Sequence, residues 1–372
     1  MAWSYWEKSV FGGHRDVLII GAGITGLNAA LNLKIAMPEW KITVVERGVM
    51  PAGASTKNAG FACFGSLSEL LADEEKNGID SVLNLVEKRW TGLQLLRQNL
   101  GDENIDYQEF GGYEMFKSDQ GTTSSKCLDA IERYNGAFSS IIGDDTYSPA
   151  TQEMSNFGFT DIDVLIKNKF EGQINTGMMM KSLLQKCLEI GIEVQFGLTV
   201  KELDGEHVRC EEGIDFSAEK IIVTTNGFAK NLLDLPVKPA RAQVLVTKPI
   251  ENLKINGCFH YDEGYYYFRN IDSRLLIGGG RNIDIQGEET TKMFVTEKIK
   301  NSIIAIVDRH ILKNQPYEID YAWSGIMGVG EDKSPIIKMI NENTAVAVKL
   351  GGMGIAIGSL VGKEVADLVL GH

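Results

Sequence analysis

Histidine, cysteine and basic residues are scarce in this chain, and each scarcity closes off a class of function. The five cysteines (Cys63, Cys127, Cys187, Cys210 and Cys258) stand far apart with no CxxC pair, which excludes a zinc ribbon and argues against a disulfide framework. The five histidines are scattered, without HxxxH or HEXXH spacing, so no metal site is expected. Lysine and arginine number 37 against 50 acidic residues, a net charge of −13. A chain this acidic gains little from phosphate backbones, and no basic run offsets the average, so nucleic acid is not an expected partner. No stretch supplies the roughly 18 unbroken apolar residues of a membrane span. Residues 1–16 lack the basic start and apolar run of a secretory signal, which makes a cytoplasmic location the expectation.

What is present is glycine used in pattern. DVLII, ending at Gly21, reads as a buried parallel strand. Beyond the turn, Ile24, Leu27, Leu31 and Ile35 recur at helical spacing, Pro38 stops the helix, and KITVVE forms a second strand. The turn itself is Gly21-Ala22-Gly23-Ile24-Thr25-Gly26. Its first glycine permits a tight turn and its second lets a pyrophosphate approach the backbone. The third lets the helix pack close to the strand, so that the helix N-terminus meets phosphate charge. GxGxxG alone also occurs as a plain glycine turn. Here Glu46 ends the next strand, where a carboxylate accepts hydrogen bonds from ribose hydroxyls, and the whole unit reads as dinucleotide-binding.

Later segments read as a helix over 81–100, short strand-like runs around Gly111-Gly112 and a helix over 124–141. A helix then follows Thr176, and the strand IIVTT ends at Asn226-Gly227. From Arg241 to Gly280 the pattern alternates, as in a mostly antiparallel sheet. Strand, glycine turn and helix close the chain.

Gly53-Ala54-Ser55-Thr56-Lys57-Asn58-Ala59-Gly60 resembles the flavin-contacting loop of the D-amino-acid oxidase family, of the glycine and sarcosine oxidase type. The likeness extends to Glu171–Gly177, to Trp323-Ser324-Gly325-Ile326 and to the turn Gly351–Gly354. It implies an α/β fold in which a Rossmann-like FAD-binding domain (1–85, 150–235 and 322–372) is interwoven with an antiparallel-sheet α+β substrate domain (86–149 and 236–321). The FAD contacts it implies are Gly21, Gly23, Ile24, Thr25, Gly26, Glu46 and Arg47 in the first unit. In the loop they are Ser55, Thr56, Lys57, Asn58 and Ala59, and further along Val200, Asn226, Gly227, Gly325, Gly352, Met353, Gly354 and Ile355. Attachment would be non-covalent, because the last cysteine, Cys258, precedes the segment in which sarcosine oxidases carry a flavin-linked one.

The resemblance further implies oxidation of the C–N bond of a small amine or amino acid, by hydride transfer to flavin N5 and hydrolysis of the resulting imine. The electron acceptor would be oxygen or a quinone. A 2-hydroxy-acid dehydrogenase is the alternative, and an RNA-modifying flavoprotein a more remote one. Tyr266, Arg281 and Lys57 are the substrate-side candidates: an aromatic wall, a guanidinium fork for a carboxylate, and a charge in the flavin loop. Aromatic sheet packing and surface ion pairs would explain the first two equally. The chain also departs from the family. No arginine stands near Ile326-Met327, where glycine oxidases hold the substrate carboxylate, and no lysine near Leu276 or Ala356, where sarcosine oxidases place theirs.

Overall fold

The computed structural model describes residues 3–371. Two eight-stranded sheets share the chain. In the first, the strands Ile42–Glu46 and Asp215–Val223 flank Gly13–Ile20 in parallel. Val17–Ile20 is buried on both faces, which is why the sequence shows an unbroken apolar run rather than alternation. On one face lie the helices Ile24–Ala36, Thr176–Glu189 and Gly354–Leu370, within one continuous apolar core. Gly362 lets the first and last of these meet: a Cβ there would lie 2.6 Å from that of Asn28.

The second sheet runs in the order 319–329, 238–247, 274–279, 266–271, 258–261, 112–116, 164–168, 147–149. It is antiparallel except where Cys258–Tyr261 pairs with Gly112–Phe116. Its inner face packs on the helix Glu297–Ile306 and on a stack of Phe259, Phe268, Tyr113 and Phe157. A two-stranded ribbon, Phe61–Ala62 with Gly172–Gln173, lies between.

Three segments fall on the other side of the expected divisions. Val164–Asn168 pairs in the second sheet, and so does Ile319–Val329 along its whole length. The helix Ile79–Leu100, expected to enter the substrate unit at residue 86, packs on Gly354–Leu370 instead. Gly92 makes that contact possible, since a Cβ there would meet the Ala356 carbonyl at 2.3 Å. The short helix Tyr5–Phe11 was not expected; its signal was the capping box formed by Ser4 and Glu7.

All five cysteines are buried, and burial pushes the Cys187 and Cys210 thiols up to about 12. A thiol reagent at about pH 8 is expected to label none of them in the folded protein and all of them in denaturant, since the thiolate is the nucleophile. Stoichiometric labelling of the native state, counted by mass, would contradict this burial.

Candidate active site

A cavity of about 670 Å³ runs between the two sheets, within the range of small-molecule and cofactor sites. It begins at Glu46, Arg47 and Val200, passes the Gly21–Thr25 turn and the 53–59 loop, and ends among Phe61, Cys63, His260 and Tyr267.

The turn is held by local stereochemistry. Gly21 sits at φ +107°, and the Thr224 hydroxyl donates to the carbonyls of Ile20 (2.9 Å) and Gly21 (3.0 Å). A Cβ on Gly26 would lie 2.0 Å from the Gly21 carbonyl oxygen, so only glycine allows the helix to start against the strand. The N-cap residue of Ile24–Ala36 is Gly23, which has no side chain to cap it, and the helix opens on the cavity with the positive end of its dipole. The Ile24 amide donates to Ser55 Oγ (2.9 Å), joining turn to loop.

Glu46 accepts one backbone N–H at each oxygen, from Ala22 (3.1 Å) and Gly48 (3.0 Å). A carboxylate has about four lone-pair sites, so two remain for hydroxyl donors. The Arg47 guanidinium lies 3.8 Å from the centre of the Phe228 ring, and both residues line this end. The loop is braced from behind. Arg269, buried, donates to the carbonyls of Ala59 (2.6 Å) and Ile174 (2.9 Å), and Trp323 Nε1 donates to that of Lys57 (2.9 Å). At the far side, Gly351 and Gly352, both at positive φ, aim a second uncapped helix N-terminus, Gly354–Leu370, into the same cavity.

This donor set fits an FAD-sized dinucleotide: a carboxylate for a ribose, an open helix N-terminus for the pyrophosphate, and a glycine cradle that a Cβ would fill. Of the expected contacts, Gly26, Thr56 and Gly227 stand behind the wall rather than in it. Gly26 is spent on helix packing. The Thr56 hydroxyl donates to the Pro51 carbonyl (2.9 Å), and Gly227 packs against the Met327 carbonyl. The other expected cofactor positions line the cavity.

On the substrate side the expectation for Tyr266 is corrected. Tyr266 and Phe268 share one face of their strand, as the alternation indicated, but that face is the packed one. The Tyr266 hydroxyl is hydrogen-bonded to Ser302 on the helix Glu297–Ile306, and Tyr267 lines the cavity in its place. Arg281 and Lys57 also line it, and neither forms an ion pair among the described residues.

A charged cluster that no motif announces stands beside Phe61. Ligand-type atoms of Cys63, Glu171 and His260 lie within 4.8 Å of one another. Glu171 accepts the amides of Phe64 (3.1 Å) and Gly65 (3.3 Å) at Oε1, and its Oε2 lies 3.4 Å from His260 Nε2. Burial alone would lower the imidazole pKa, but Glu171 more than offsets this and takes it up to about 9. Burial pushes the Cys63 thiol up, so it keeps its proton, and the cluster is an ion pair beside a thiol. Glu69, which burial would raise, is brought down to about 2 by Arg89 and Lys333. Cys63, Glu171 and His260 come from segments far apart in the chain that the 61–62/172–173 ribbon and the strand Cys258–Tyr261 help bring together, so no spacing rule could find them.

Residues 16–368 match the family model described as FAD dependent oxidoreductase. The chain is 22% identical to gamma-glutamylputrescine oxidoreductase of Escherichia coli, over 96% of this chain and 84% of that protein. It is 25% identical to glycine oxidase of Geobacillus kaustophilus, over 96% and 93%. The solved structure of glycine oxidase from Bacillus cereus shares the fold, with a TM-score of 0.74 at 18% identity, covering 96% of this chain and 95% of that one.

Proposed function

This chain belongs to the family of FAD-dependent oxidoreductases, and on that premise we propose that it oxidises the C–N bond of a small amine or amino acid. When bound, FAD supplies the hydride acceptor, at N5. The observation that carries the reading is the form of the cavity: a dinucleotide cradle continuous with an aromatic pocket walled by Phe61 and Tyr267. The curated relatives named above carry amine-bearing compounds in their names, which agrees with it.

Among the described residues, the two groups beside Phe61 and Tyr267 best placed to act as bases are already engaged. His260 is kept protonated by Glu171, and Glu69 is committed to Arg89 and Lys333. The protein's part is therefore to bind, orient and exclude water, while the imine product is hydrolysed after leaving. Glu46, the Gly21–Thr25 turn, the 53–59 loop and Gly352–Ile355 would hold the cofactor. Phe61 and Tyr267 would flank the substrate, with Lys57 and Arg281 as cations at its margin. Oxygen or a quinone would take the electrons.

Anaerobic mixing with amino, imino and hydroxy acids tests this. Amine-bearing compounds are expected to bleach the visible absorbance of the flavin, and 2-hydroxy acids to leave it unchanged. Bleaching by hydroxy acids alone would replace the reading with the dehydrogenase alternative.

A further inference from the structure

His260 and Tyr267 are directly paired across adjacent antiparallel strands, so their side chains stand together on one face of the sheet. Both line the cavity. The Phe61 ring packs edge-on against each, with ring centres 5.4 Å from His260 and 5.5 Å from Tyr267. His260 Nε2 turns toward Glu171, which leaves Nδ1 without a protein partner among the described residues. The Tyr267 hydroxyl has none either; burial alone raises its pKa, to about 12. Two donors on paired positions therefore face the cavity without a protein acceptor among the described residues, and a ligand anion seated there would meet both.

We propose that the His260–Tyr267 pair is the seat of the substrate's carboxylate, receiving Nδ1–H and O–H donors, with Glu171 as the positioning residue that fixes the imidazolium. The inference rests on the reading above that the substrate is a small amino acid. It supplies the acid-binding group that the missing arginine near Ile326-Met327 leaves open. The other ionisable groups that bear on His260 are Glu114 on Gly112–Phe116, Cys258 on its own strand, Cys63 beside the ribbon and Glu69 on the helix Leu67–Asn77. Lys333 is already committed to Glu69 and Asp73.

Benzoate binding to the FAD-loaded protein tests the seat, followed by calorimetry and by perturbation of the flavin spectrum, with benzamide as the uncharged control. His260→Gln is expected to weaken benzoate roughly 10- to 100-fold, the loss of a charged hydrogen bond, and to leave benzamide unchanged. Tyr267→Phe should weaken benzoate by a smaller factor. In the unmutated protein, benzoate affinity should hold below about pH 9 and fall about tenfold per pH unit above it, as His260 loses its proton. Glu171→Gln should move that break to lower pH. If His260→Gln fails to load flavin, the unmutated pH profile decides: a break near pH 9 supports the seat, and a flat profile overturns it. Unchanged benzoate affinity in His260→Gln, or loss of affinity in Arg281→Ala instead, also overturns it. These outcomes are separate from the amine panel: bleaching by amines does not require the seat to be at His260, and a dependence of benzoate on His260 does not require any amine to react.

Discussion

Gly26→Ala is expected to yield a protein without its yellow colour. The added methyl carbon would lie 2.0 Å from the Gly21 carbonyl oxygen and 2.7 Å from Thr224 Oγ1. The nearer obstacle is backbone, and it is already fixed by the hydrogen bonds from Thr224. The start of the helix must therefore move off the strand, which carries a packing cost of roughly 1–3 kcal/mol. It also takes the open N-terminus away from the pyrophosphate position. Together these should weaken FAD at least about 100-fold, or roughly 2.7 kcal/mol. The ratio of visible to ultraviolet absorbance after purification, with a titration by added FAD, gives the result. Gly53→Ala is the control, because a Cβ there meets nothing within 4 Å; it should load normally. A fully loaded Gly26→Ala protein would refute the packing argument.

Glu288→Ala should produce the largest loss of stability. Glu288 is 1% exposed and accepts two bonds from Arg241 (2.8 and 2.7 Å) and one from Gln243 (2.8 Å). Arg241 is itself 2% exposed, and Gln243 also accepts the Thr296 amide at 2.8 Å. The pair thus fastens the 281–296 segment to the strand Lys238–Thr247. Removing the carboxylate leaves a buried guanidinium without a counter-charge, at a cost of about 3–5 kcal/mol. Replacing both partners by apolar residues, Arg241→Met with Glu288→Leu, should recover most of it, since two charges no longer need desolvating. Urea unfolding measures both; a single-variant loss below about 1 kcal/mol would mean that the buried charge finds another partner.

The cofactor half of the site was legible because its determinants are local. Gly21, Gly23 and Gly26 act within a few residues of one another, and Glu46 closes the next strand. The substrate half was not, because it depends on contacts between distant segments. Alternation put Tyr265 and Tyr267 on the face opposite Tyr266 and Phe268. Which face met the cavity was decided by the helix Glu297–Ile306, whose Ser302 takes the Tyr266 hydroxyl. Cys63, Glu171 and His260 come together across more than one strand pairing, and Arg269 acts through carbonyls at Ala59 and Ile174 that no motif identifies. The sheet boundaries were missed for a related reason. Val164–Asn168 and Ile319–Val329 carry no sign of which sheet will take them, and Gly92 reveals its role only against Ala356.

The Gly354–Leu370 helix, packed on Ile24–Ala36 with its N-terminus in the cavity, has a consequence in time. The first wall of the site leaves the ribosome about 330 residues before the last one, an interval of roughly 15–70 s at ordinary rates of synthesis. Until then the glycine turn has formed but its far wall is missing, and the nascent chain offers the flavin only an open ledge. Tight loading must therefore wait until the 351–354 turn has left the ribosome, and polypeptides stopped anywhere before that turn should be made without ever retaining the cofactor.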